Sequence, residues 1–269
     1  MPLLPVDDTE LYYEVHGQGA PLLFLSETHC DGEVWKIHQV PEFVRDHQVI
    51  TMDYRGTGQS GKPSMPFTTR MFADDAMALL DHVGADGAVV CGHSMGGRVA
   101  QLMALDHPAR IKALILASTG AAYPHTKGIP LKIATEMVEW GYEKYVRDHS
   151  ILVGFTDEFA ERHPDRVENY LSVRMANMGP VEFYFRHLLA RQGHDTSGRL
   201  GDIRCPTLIL VGEDDRNVTS DLSHRTSSET LENGIPGARL VVLPGERHSY
   251  FFANPDAAHT AMRDFLEHI

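Results

Sequence analysis

Short apolar runs alternate along this chain with segments whose apolar residues recur every three or four positions. Leu11-Tyr12-Tyr13-Glu14-Val15 ends at Gly17, and Leu22-Leu23-Phe24-Leu25 is a wholly apolar run of the kind found in a central parallel strand. Val49-Ile50-Thr51-Met52, Val89-Val90-Cys91, Ala113–Ala117, Thr207–Val211 and Leu240–Leu243 repeat that style. Helical spacing fills the gaps. It runs from Phe72 to Leu80 behind a cap at Thr68 or Thr69, and Val99, Leu102, Met103 and Leu105 form a second stripe. Asp256 to Ile269 closes the chain amphipathically. Strands alternating with helices predict an α/β fold, a mostly parallel sheet with helices on both faces.

One stretch breaks this rhythm. Residues 121–198 hold no clear strand but carry apolar residues at helical spacing, as in Ile133, Met137 and Trp140, or Phe183, Phe185, Leu188 and Leu189. They read as an inserted helical lid over the carboxyl ends of the strands, which leaves 1–120 and 199–269 as the core. Trp140, Tyr142, Tyr184, Phe185 and Arg186 are candidates to line a pocket, although such stripes more often form core.

Composition narrows the partners. With 269 residues there is room for one α/β domain, and a formal net charge of -13 argues against nucleic acid and anionic membrane surfaces. The first residues lack the basic and apolar regions of a signal peptide, and no apolar run approaches the roughly 20 residues that span a bilayer. Cys30, Cys91 and Cys205 are scattered without metal-ligand spacing, so a reducing, cytoplasmic setting is expected. His29 and Cys30 are adjacent without a partner cluster, and no metal is expected there.

The chemistry concentrates where Val89-Val90-Cys91 runs into Gly92-His93-Ser94-Met95-Gly96 and then into a helical stripe. A strand-to-helix turn of this kind strains its middle residue and projects the serine hydroxyl into a cleft. A serine hydroxyl needs a base and an oxyanion site before it becomes a useful nucleophile. Of 16 histidines, His248 follows the last apolar run through a turn-forming Pro244-Gly245-Glu246-Arg247, which places it at a strand's carboxyl end. A carboxylate to orient it is offered after another strand by Glu213, Asp214 and Asp215.

These motifs, with Asp53-Tyr54-Arg55-Gly56-Thr57-Gly58-Gln59-Ser60, give the chain a resemblance to the α/β-hydrolase superfamily over nearly its whole length. Within it, the chain is similar to esterases and enol-lactonases. The resemblance implies Ser94 as nucleophile, His248 as base and Asp215 as its acid, with Asp214 the weaker candidate. No carboxylate follows the strand ending in Ala117-Ser118-Thr119-Gly120, where some members carry the acid.

The chain departs from the family in one loop. Ser26-Glu27 stands where His-Gly is usual, so the oxyanion N–H groups are expected from Met95 and from Glu27 or Thr28. A carboxylate there opposes an oxyanion unless it turns away or is protonated. Glu27 and His29 either bind a polar substrate group or position water, or else face solvent or brace the loop. Arg98, four residues after Ser94 and on the helix behind it, reads as one half of a structural ion pair in preference to a substrate-binding group.

The expected function is a cofactor-free serine hydrolase acting on a small-molecule carboxylic ester or lactone through an acyl-enzyme. The alternatives are carbon–carbon, amide or thioester hydrolysis, a cofactor-independent oxygenase or lyase using His248 as base, and a non-catalytic binding protein of the same fold. Oligomeric state leaves no mark on the sequence.

Overall fold

The apolar runs become a sheet of eight strands among the described residues, which in this computed structural model are 2–123, 129–216 and 223–269. In chain order the strands are β1 (Leu3–Val6), β2 (Thr9–His16), β3 (Ala20–Leu25), β4 (His47–Met52), β5 (Ala88–His93), β6 (Ile111–Ala117), β7 (Thr207–Gly212) and β8 (Arg239–Leu243). In space they run β1-β2-β4-β3-β5-β6-β7-β8. Strands β4, β3, β5, β6, β7 and β8 are parallel, while β1 and β2 join antiparallel at one edge. The edge hairpin contributes β1, a strand that the apolar pattern did not predict, because Leu3-Leu4-Pro5-Val6 is short and interrupted by proline.

Side chains alternate across the sheet with period two. Leu22 and Phe24 enter one core with Trp35, Phe43 and Phe251, while Leu23 and Leu25 enter the other with Phe72, Val99 and Met103. Helices α1 (Gln39–Phe43), α2 (Thr69–His82) and α3 (Met95–Asp106) follow successive strands. The cap of α2 is Thr68, whose hydroxyl accepts from the Met71 N–H at 3.1 Å.

Between β6 and β7 lie α4 (Ile129–Trp140), α5 (Tyr142–Gly154), α6 (Asp157–Arg162), α7 (Pro164–Ala176) and α8 (Val181–Gln192). The stretch read as a lid therefore is helical, and 124–128 within it lie outside the described residues. Its own core joins Ile133, Met137, Tyr145, Tyr184 and Leu188. The chain closes with α9 (His224–Gly234), α10 (Tyr250–Ala253) and α11 (Pro255–Leu266), the last capped by Asn254. Among the described residues no helix is long and apolar enough to cross a membrane.

The Asp53–Ser60 loop ties these parts together. Asp53 accepts from the N–H groups of Gly32 and Gln59, each at 2.8 Å, and Ser60 bridges the Asp53 carbonyl to the Tyr12 N–H. Gly58 sits at φ +49°, where a Cβ would fall 2.0 Å from Asp53 Oδ2. Arg55, 2% exposed, forks onto Asp75 with two bonds of 2.7 Å. Asp75→Ala leaves that guanidinium buried without its main partner, so urea unfolding should show a loss of about 3 kcal/mol.

Candidate active site

Ser94 sits where β5 turns into α3, at φ +55° and ψ -110°. A non-glycine residue there is strained, and the surroundings hold it in place. Its N–H donates to the Ala117 carbonyl at 2.8 Å, and the Thr119 hydroxyl donates to its carbonyl at 2.6 Å. The flanking glycines allow the crowding: a Cβ on Gly92 would meet Gly96 O at 2.3 Å, and one on Gly96 would meet Leu25 O at 2.2 Å.

His248 arrives on the loop after β8 and shares a cavity of about 70 Å³ with Ser94. Its Nδ1 lies 3.0 Å from both oxygens of Asp215, which follows β7. Because a carboxylate only accepts, the proton belongs on Nδ1 and leaves Nε2 free to accept. Burial raises the Asp215 pKa, but His248 and His224 outweigh that and hold it at about 2. Burial works against charge on His248 as well, yet Asp215 and then Glu27 raise its pKa above the usual imidazole value. Asp214 is instead exposed, and its backbone N–H donates to Glu246 O. Of the three acids after β7, Asp215 is the one that bonds to the imidazole.

Met95 opens α3, and among the described residues no backbone carbonyl accepts from its N–H or from that of Thr28. Thr28 lines the cavity, as does Glu27. Glu27 does not face solvent: Tyr170 donates to its Oε1 at 2.9 Å, Arg174 pairs with the same oxygen, and Oε2 lies 3.9 Å from His248 Nε2. Burial opposes its charge, but Arg174, then His93, His248 and Tyr170, hold its pKa at about 2. Glu27 is an anion beside the imidazole.

His29 is buried, at φ +53°, and packs among Tyr184, His187 and Tyr142 rather than lining the cavity. The solvent-facing alternative is therefore corrected for both residues. Of the pocket candidates, Tyr184 reaches the cavity, while Tyr142 and Phe185 pack against the core of the inserted helices. Trp140 is 47% exposed on another groove, and Arg186 stacks on Phe183. Arg98 also departs from expectation. Among the described residues it has no carboxylate partner, and it donates to Ala122 O at 3.4 Å.

Sequence reasoning missed Tyr170, Arg174, Arg191, His149 and His224, which all border the cavity. Among the described residues two donor groups come within metal-binding reach, Glu27 with His93 and His248, and Asp215 with His224 and His248. His248 is committed to Asp215, His93 donates to His248 O at 3.1 Å, and Glu27 is held by Arg174. An ion in either group would compete with these bonds, and we assign none.

A model of the alpha/beta hydrolase fold matches residues 15–255. The chain belongs to the α/β-hydrolase family. It is 28% identical over 270 residues to a putative carbamate hydrolase RutD of Azorhizobium caulinodans, covering 100% of this chain and 99% of that one. Its structure is similar to the enol-lactonase of Burkholderia xenovorans LB400, with TM-score 0.87, 26% identity, and 99% and 100% of the two chains covered. A thermophilic esterase of Thermogutta terrifontis with malate bound gives TM-score 0.84 and 27% identity, covering 96% of this chain and 93% of that one. This α/β-hydrolase is accordingly an enzyme.

The Glu27 carboxylate has a measurable consequence. A nearby anion stabilises the imidazolium, so its neutralisation lowers the histidine's pKa. In an NMR titration His248 should have a midpoint above about 6.5 in the wild type and a lower one in Glu27→Gln. An unchanged midpoint would place Glu27 outside electrostatic reach of His248.

Proposed function

We propose that this α/β-hydrolase is a serine hydrolase that cleaves small carboxylic esters or lactones through an acyl-enzyme. The observation that carries this reading is the strained Ser94 opening on the same cavity as His248, whose other nitrogen is fixed by Asp215. His248 Nε2 takes the Ser94 proton as the hydroxyl oxygen attacks the carbonyl carbon. The developing oxyanion is held by the N–H groups of Met95 and Thr28. His248 then hands its proton to the leaving alkoxide, which departs as an alcohol or, from a lactone, stays tethered to the acyl group. A water that gives its proton to His248 attacks the acyl carbon, and collapse returns the proton to Ser94 and releases the acid.

Asp215 keeps the imidazole in the tautomer with Nε2 free and stabilises the imidazolium. Glu27 is tolerated near an oxyanion because Arg174 and Tyr170 already engage its charge. Helices α4–α8 act as a lid, since His149, Tyr170, Arg174, Tyr184 and Arg191 form a wall of the cavity. The relatives are named for a carbamate, an enol-lactone and an ester. All three are carbonyl compounds with a leaving group, which fits one nucleophile serving several substrates. The three free cysteines fit a cytoplasmic setting.

A fluorophosphonate probe should label Ser94 in the wild type, and Ser94→Ala should lower kcat/KM for an activated ester by at least about 10³-fold. A variant that retained turnover would remove Ser94 from the chemistry and leave His248 as base for a different reaction.

A further inference from the structure

The cationic groups of the cavity are not equally satisfied. Arg174 is paired with Glu27, whereas Arg191, on the same wall, meets only neutral oxygens among the described residues. It donates to the Thr28 hydroxyl at 3.1 Å and the Tyr123 hydroxyl at 3.5 Å, and its Nε is buried without a partner there. Behind it stands Arg98, 3% exposed, whose Nε is likewise unpartnered. The two guanidinium groups both pack on the Tyr123 ring, with Arg191 at 4.8 Å and Arg98 at 5.6 Å from its centroid. Burial, and then Arg191, push the Arg98 pKa down to about 9.

Concentrating two cations this way without an anion is unfavourable. The chain has 37 acidic residues and a net charge of -13, yet no described carboxylate pairs with either arginine. Arg191 also holds Thr28, which lines the cavity beside Ser94. A ligand anion on Arg191 would therefore lie close to the reacting carbonyl. A planar guanidinium suits a carboxylate in particular, because it can offer two parallel N–H donors. The cavity, about 70 Å³, suits a short acyl chain.

We propose that Arg191, backed by Arg98, binds a carboxylate carried by the substrate, so that the preferred substrates are short esters or lactones bearing a free carboxylate group. This rests on the serine-hydrolase reading and narrows it. Arg191 acts as a specificity residue, and the ligand supplies an anion that no described residue provides.

Methyl hydrogen succinate and methyl butyrate form a matched pair, similar in length and different in charge. In proton-release assays the ratio of their kcat/KM values should favour the succinate monoester at least tenfold in the wild type. Arg191→Met should reduce that ratio at least tenfold, mainly through KM, and Arg191→Lys should recover part of it. A merely structural arginine would move both substrates together and leave the ratio unchanged, which would overturn the proposal, as would a wild-type ratio of one or less. Calorimetry on Ser94→Ala separates this from the chemistry. Saturable binding of methyl hydrogen succinate, weakened by adding Arg191→Met, supports the anion site even if neither ester is hydrolysed. No binding of the monoanion to Ser94→Ala would refute the anion site even where ester hydrolysis stands.

Discussion

Ser94 keeps a positive-φ backbone conformation because the chain on every side leaves it no other. The Ala117 carbonyl accepts from its N–H, Thr119 donates to its carbonyl, and Gly92 and Gly96 bring β5, α3 and the end of β3 into contact that a side chain would prevent. Much of the architecture serves this constraint. The parallel strands place the ends of β3, β5, β7 and β8 on one edge, so the loops bearing Glu27 and Thr28, Ser94, Asp215 and His248 converge there. The strain costs on the order of 1–3 kcal/mol, which the two buried cores flanking the sheet readily absorb.

The carboxylates near this edge are satisfied in different ways. Asp53 accepts two backbone N–H groups, but burial and the nearby Asp31 lift its pKa to about 7, so it serves as a scaffold rather than a fixed charge. Asp215 and Glu27 are both held at about 2, one by His248 and one by Arg174. The imidazole of His248 is thus flanked by two anions, one at each nitrogen. A base so placed is stabilised as imidazolium. Arg174, Arg191 and Arg216 bring positive charge to the rest of the cavity lining.

The core strands and the Gly-x-Ser-x-Gly turn were legible because they obey local rules: uniform apolar runs for buried strands, glycines at fixed offsets, and a serine between them. The hairpin strand β1 was not, since four residues with a proline carry little pattern. The residues alone left Glu213, Asp214 and Asp215 open, and the family resemblance pointed to Asp215; its burial and its bond to His248 depend on how the loop packs. The cavity arginines were harder still, although a signal existed. Arg174 continues the Val167, Tyr170, Leu171 stripe of α7, and Arg191 continues Tyr184, His187, Leu188 on α8. A charged residue on the buried face of a helix needs a partner or a ligand. Arg98 misled for the related reason that sequence shows a charge but not the absence of its counter-charge.

Covalent acylation of the strained serine is the central claim. Rapid-quench mass spectrometry after mixing the protein with an activated ester tests it most directly. A transient mass increase equal to the acyl group is expected on the peptide containing Ser94, decaying as the free acid appears. Turnover at the same rate with no acyl adduct on Ser94 at any time would contradict it.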